Sequence, residues 1–226
     1  MSSILLIGGN GLLARCITKR LSSKNITVHS VIRNASQISE LKRLGVVIWS
    51  AGAGAGIASD ARIKEVDNEG HIKVIDAVAQ AAEEAGTTRR FITIPSLEVR
   101  DVVNKPVPEW YDEDERRFSE WLSQMFRTYH AARLASDKSL VERNVQRKLD
   151  YTIVRPGWMS QEPGVGRIGA GKCRISGQVS REDVTTVLEI CMESEKTIGL
   201  TFDVAGGDVP IEDAVNNATD SFEGYY

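Results

Sequence analysis

Ser3-Ile4-Leu5-Leu6-Ile7-Gly8-Gly9-Asn10-Gly11-Leu12-Leu13-Ala14 opens the chain, and its pattern sets the architecture of everything after it. Residues 3–7 form a short apolar run that reads as a buried strand. Leu12, Leu13, Cys16, Ile17 and Leu21 then recur as one face of a helix. The glycines between make a tight turn. Glycine accepts positive φ and leaves no Cβ in the way of an approaching pyrophosphate. The helix beyond aims its unpaired N–H groups and positive dipole end at that anion. Gly8, Gly11 and Ala14 lie three apart, a variant of the dinucleotide fingerprint with alanine at the helix-packing position. The expectation is an α/β chain of Rossmann type, a doubly wound parallel sheet. Gly8, Asn10, Gly11, Leu12 and Leu13 are its first candidate cofactor contacts.

At 226 residues the chain suits one domain, and its 42% hydrophobic content suffices for a core. A net charge of −3 argues against nucleic acid as a partner, because neutralising phosphates needs a basic face. No run of some eighteen apolar residues suggests a membrane span, and the first residues lack the basic region of a signal peptide. Cys16, Cys173 and Cys191 are few, odd in number and scattered, which fits buried thiols in a reducing, cytoplasmic setting. His29, His71 and His130 show no ligand-like spacing, so no metal is expected.

The second strand spans 26–32 and ends at Arg33-Asn34. In a dinucleotide fold this tip discriminates between cofactors, an acid taking ribose hydroxyls and an arginine accommodating a 2′-phosphate. Arg33 therefore points to NADP, with Asn34 and Ser36 as further hydrogen-bonding groups. A short helix over 36–44, stopped by Gly45, leads to another buried strand at 46–51. A nucleotide-binding half ordinarily has a third strand and helix at this point. Only one helix separates these two strands, so the third strand and helix are expected to be absent, with the helix itself crossing over the sheet. Losing that edge leaves the second strand exposed, and it could pair with a neighbour to give a homodimer.

A helix from Val66 carries Ile72, Ile75, Val78, Ala79 and Ala82 and ends near Gly86. A strand at 90–94 exits through Ser96, beyond a carboxyl end, where ligands bind in open parallel sheets. Residues 97–116 and 158–175 read as irregular loops covering a substrate, the first holding Pro106 and Pro108, the second Gly-rich. Trp158, Met159 and Val165 are candidate pocket walls. A long helical stretch over 114–143 places Tyr129 and Arg133 four apart on one face. A strand at 149–154 breaks at Arg155-Pro156-Gly157. Ser180 to Asp183 resembles a capping box opening a helix, and 200–204 is the last strand.

These residues carry a family likeness. The Gly8-x-x-Gly11-x-x-Ala14 turn, Arg33-Asn34, the run from Asp150 to Gly157, and Phe202-Asp203-Val204 with Gly206-Gly207 together resemble the atypical short-chain dehydrogenase/reductases. The likeness is to the small NAD(P)-binding branch near biliverdin reductase B and the nitrogen-metabolite-repression (NmrA-like) regulators, especially fungal members. It covers nearly the whole chain apart from the absent third strand and helix. The extended family's signature is a serine, then Tyr-x-x-x-Lys. Ser96 and Tyr129 match, whereas Arg133 stands at the lysine. An arginine can favour phenolate and bind a ribose, but guanidinium does not relay protons. Tyr129 and Arg133 thus form either a catalytic pair or a packing tyrosine beside a surface arginine. The resemblance also implies that Ala51, Gly52 and Ala53 lie against the cofactor, and that Pro156 and Gly157 edge the nicotinamide. Trp158 either stacks on an aromatic substrate or fills the core.

The activity expected from this pattern is NADPH-dependent reduction of a small aromatic or conjugated carbonyl metabolite, with Tyr129 as acid and Ser96 holding the oxygen. Two alternatives stay open. One is a non-catalytic NADP-binding redox sensor that reports to a protein partner. The other is a non-redox isomerase or dehydratase of a biosynthetic pathway.

Overall fold

A computed structural model describes residues 3–31, 46–54, 57–86 and 89–220. In chain order the first half contains β1 (Ser3–Ile7), α1 (Leu12–Ser23), β2 (Thr27–Val31), β3 (Val46–Trp49), α2 (Asp60–Ile63), a π-helical segment (Lys64–Gly70), α3 (His71–Ala85) and β4 (Arg90–Thr93). There follow α4 (Glu113–Met125), α5 (Arg127–Glu142), α6 (Asn144–Arg147), β5 (Asp150–Pro156), β6 (Met159–Ser160) and β7 (Arg167–Gly171). The last are β8 (Val179–Ser180), α7 (Arg181–Glu193), β9 (Thr201–Gly206), β10 (Val209–Pro210) and α8 (Ile211–Asn216).

The strands β9, β5, β4, β3, β1 and β2 run parallel in that spatial order. β1 sits between β2 and β3, Leu5 facing His29 on one side and Val47 on the other. Among the described residues β2 is the sheet edge, as expected of a half-sheet lacking its third strand. The crossover between them, with Arg33, Asn34 and the helix expected over 36–44, lies outside the described residues.

Apolar strands alternate their side chains between two covered faces, which is why they read as continuous apolar runs. Ile4, Leu6, Ile48, Ile92 and Val154 face one way, against Leu13, Ala14, Ile17 and Leu21 of α1 and Val184, Val187 and Leu188 of α7. Leu5, Val47, Phe91 and Ile153 face the other, against Ile75 and Val78 of α3 and Leu140 of α5. Leu12, expected on the inward stripe, is 55% exposed. One position along the helix turns it toward the mouth of the cleft described below.

The elements depart from expectation in three places. The stretch over 114–143 is two helices broken at Phe126, and a capping box between Asp112 and Glu115 opens the first. The box expected at Ser180 is only half formed. Ser180 accepts from the Asp183 N–H, but the Asp183 carboxylate accepts instead from the N–H groups of Val165 and Gly166 at 3.0 and 2.9 Å. The segment over 158–175 is not wholly irregular, because β7 pairs antiparallel with β9. Its composition hides a strand that exists through close backbone approach. A Cβ on Gly207 would stand 2.4 Å from the Gly169 nitrogen. Of the cysteines, Cys191 is buried whereas Cys16 and Cys173 are partly exposed, all three as free thiols.

Candidate active site

The carboxyl ends of β1, β3, β4 and β5 open into a cleft of about 360 Å³ lined by Gly11, Leu12, Leu13, Ala51, Gly52, Ser96, Pro156 and Gly157 among others. Gly8 holds φ +90°, and a Cβ there would meet the Ala51 backbone at 2.7 Å, so its role is to let the turn pack on the end of β3. The Gly11 N–H donates to the Gly8 carbonyl at 2.9 Å. The first turn of α1 has no acidic residue and no side-chain cap. Its N–H groups therefore face the cleft without an internal anion. Asn10 is not part of that lining; its Oδ1 accepts from Arg15 at 2.7 Å on the exposed side of the turn.

Across the cleft lies a buried polar network. Asp67 is 1% exposed; its Oδ2 accepts from the Ala53 N–H at 3.0 Å, and its Oδ1 has no hydrogen-bond partner among the described residues. A Cβ on Gly52 would stand 3.3 Å from that Oδ1. Desolvation raises the Asp67 carboxyl above its ordinary range, against the Ala53 hydrogen bond and the charge of Arg133. Arg133 is buried, not a surface arginine. Its guanidinium donates to His71 Nδ1 at 3.1 Å and to Thr93 Oγ1 at 2.9 Å, and pairs with Asp137 at 3.4 Å. His71 Nε2 reaches the same Thr93 hydroxyl at 3.1 Å. Burial first, then Arg133, push the His71 imidazole well below its usual pKa, so it is neutral. With Nδ1 accepting from a guanidinium, the Nε2–H tautomer is the one that fits.

Asp67 and His71 went unread as site residues. They lie four apart, and with Ile75, Val78 and Ala82 they continue one buried helical stripe. Two polar residues at core spacing were the available signal. Asp67 sits in the π-helical segment, a geometry that recurs at functional positions. Arg181, at the start of α7, also lines the cleft and donates to the Ser160 carbonyl at 2.9 Å; no motif marked it.

Tyr129 is half-buried on α5 and lines the cleft beside Ser96, whose hydroxyl lowers its phenol. Sequence reasoning made Arg133 a promoter of phenolate. Desolvation raises the Tyr129 phenol by more than Arg133 lowers it, so Arg133 acts as expected but the net direction is up. Ser96, Tyr129, Pro156 and Gly157 belong both to the cleft and to a second cavity of about 200 Å³. That cavity is walled by Leu97, Phe118, Leu122, Phe126, Trp158 and Ile175. Trp158 is 55% exposed at its edge and is not a core aromatic. Met159, expected with the substrate, lines the cofactor-side cleft instead and packs on the core. Val165 is exposed and lines neither space.

His130 on the cavity wall is also neutral, burial and Arg100 lowering it to about 4. Both buried imidazoles refuse protons that the unfolded chain accepts near pH 6.5. Below that pH the unfolded state binds more protons, so stability is full at neutral pH and is lost as pH falls through 6.5 towards 4. Urea unfolding at stepped pH is expected to lose up to about 1.4 kcal/mol per pH unit per histidine, with a shallower slope in His130→Phe. A flat profile would contradict the neutral assignment.

Comparison with known proteins identifies the family. Residues 43–195 match the model of a family described as NAD(P)H-binding. UPF0659 protein C216.03 of Schizosaccharomyces pombe is 30% identical, over 95% of this chain and 94% of the relative. A Bacillus subtilis protein named uncharacterized sugar epimerase YhfK is 25% identical, over 94% and 98%. The crystal structure of the oxidoreductase ylbE from Lactococcus lactis superposes with a TM-score of 0.69 at 20% identity, over 99% and 98% of the two chains. That last likeness is one of fold.

Proposed function

The chain belongs to the NAD(P)H-binding family, and from that premise we propose that it is an NADPH-dependent reductase of a small aromatic or conjugated carbonyl compound. The observation that carries the reading is the position of Ser96 and Tyr129, on the shared border of the strand-end cleft and the apolar cavity.

Three features fit a dinucleotide: the uncapped first turn of α1, the orphaned Asp67 Oδ1 and the Cβ-free approach at Gly52. The helix N-terminus, with Arg181 nearby, would hold the pyrophosphate. Asp67 Oδ1 would accept from a ribose hydroxyl, and Arg133 would position Asp67 and His71 beneath it. Arg33 and Asn34, following β2, would take the 2′-phosphate. The bound cofactor supplies a hydride. Tyr129 then gives its phenolic proton to the carbonyl oxygen, and Ser96 donates a hydrogen bond to the same oxygen. A raised phenol is protonated throughout the neutral range, the form a reductase needs. A proton-abstracting epimerase would instead need the phenolate.

Calorimetry with NADPH and NADH tests the cofactor half. NADPH is expected to bind more tightly, with the preference lost in Arg33→Ala and affinity for both lowered about tenfold in Asp67→Ala. The absence of heat from either cofactor would sink the reading. NADPH oxidation against a panel of aromatic aldehydes and quinones tests the chemistry. The name of the Bacillus subtilis relative keeps an epimerase in view. Cavity chemistry weighs against a sugar, whose hydroxyls would be left unpaired against Phe118, Leu122 and Phe126. Conversion of a sugar nucleotide without net NADPH consumption would favour it instead.

A further inference from the structure

The second cavity offers a ligand no charged partner. Among the described residues that line it there is no Lys, Arg, Asp or Glu, and its wall is Leu97, Phe118, Leu122, Phe126, Trp158 and Ile175. His130, also in the wall, is held neutral by its burial and by Arg100, so it supplies no cation. The charges packed behind the wall do not make up for this. Arg100 is 5% exposed and committed to Glu98 at 2.5 Å and to Ser119 at 2.8 Å. Arg155, which precedes the lining residue Pro156, donates to Asp203 at 2.7 Å. Glu115 is 2% exposed and accepts from the Ile175 N–H at 3.0 Å. The cation facing Glu115 is Arg174, an exposed side chain that also pairs with Asp112. Each of the two buried cations thus already has its carboxylate, and a third carboxylate stands beside them. A neutral ring enters such a space readily, whereas an ion that leaves water there without a partner is heavily penalised. Sites that take a carboxylate present an arginine or a lysine to it.

We infer that this cavity selects against charge: the substrate is a carbonyl compound uncharged at the end remote from its carbonyl, and aldehyde or keto acids with a distal carboxylate are refused. The restriction falls on the distal end, because Ser96 and Tyr129 also border the cleft, where Arg133 and Arg181 lie. Trp158, 55% exposed at the cavity edge, is the position from which a cation could reach the distal end. The inference rests on the reductase reading for which end reacts, but its test needs no turnover.

An apolar cavity of ~150 Å³ takes a benzene, and this one is about 200 Å³, so single-ring probes fit. The probes 4-nitrobenzaldehyde and 4-formylbenzoate have nearly the same shape and differ by one charge at neutral pH. Each is titrated by calorimetry into protein saturated with NADP+, so that no reduction proceeds. Wild type is expected to bind the nitro ring at least about tenfold more tightly. Trp158→Arg sets a guanidinium at the cavity edge and should raise the affinity for 4-formylbenzoate until the two rings bind alike, a gain that a merely damaged wall would not give. Circular dichroism confirms that the variant is folded. A smaller ratio in wild type, or binding of neither ring, would overturn the inference whether or not the variant folds. A folded Trp158→Arg that still refuses the carboxylate would overturn it too, by showing that a missing cation is not the cause. Selection as expected in wild type, without NADPH oxidation by 4-nitrobenzaldehyde, would remove the reductase reading and leave the selection against charge standing.

Discussion

Tyr129→Phe is expected to lower kcat for carbonyl reduction by about 10²- to 10⁴-fold, the range that a positioned general acid contributes. The substitution removes one oxygen and leaves the ring. That ring packs beside Val99 and Leu134, so folding and the affinity for NADPH should change little. The phenol is raised by desolvation, with Arg133 and Ser96 pulling the other way. Reductase activity should therefore hold level across the neutral range and decline only where the phenol ionises, above its ordinary pKa of about 10. Steady-state kinetics of the two proteins from neutral to alkaline pH check both points. A Phe variant within severalfold of wild type would show that the proton comes from elsewhere.

Asp203→Leu is expected to cost about 3–5 kcal/mol of folding free energy, a large part of the 5–15 kcal/mol that holds a domain together. Asp203 on β9 and Arg155 on β5 are register partners and both are 0% exposed. The Arg155 Nε–H donates to Asp203 Oδ1 at 2.7 Å, and its Nη1 donates to the Val99 carbonyl at 3.0 Å. Removing the carboxylate strands a guanidinium in the sheet interior. The double variant Arg155→Met/Asp203→Leu removes both charges and is expected to recover much of the loss. Urea denaturation of the two singles and the double measures the coupling. The site should feel the single change as well, because β5 leads directly into Pro156 and Gly157, which border both the cleft and the cavity. A single-variant cost below about 1 kcal/mol would mean that the pair is hydrated in solution.

The two effects differ in how visible they were beforehand. Tyr129 and Ser96 could be picked out because a strand end and a helical spacing are local features. The Arg155–Asp203 pair could not, since 48 residues separate its members and only the pairing of β5 with β9 brings them together. Asp67 leaves no such local mark, because the apolar residues on its stripe carry the helical signal and a polar residue among them adds nothing to it. Arg133 is visible in the sequence through its motif position, but its burial, and the desolvation that outweighs its pull on the Tyr129 phenol, are tertiary facts.

Local pattern alone determined the strand–turn–helix opening, the two-faced apolar strands, the left-handed stop at Gly86 and the carboxyl-end position of the site. Each depends on neighbours within a few residues, where hydrophobic period and backbone sterics act directly. Tertiary structure alone decided that β7 joins the sheet, that Arg133 is buried against His71 and Thr93, and that segments around residues 97, 118–130, 158 and 175 enclose one apolar cavity. Those outcomes turn on desolvation and on which distant groups meet, and neither quantity is carried by any short run of residues.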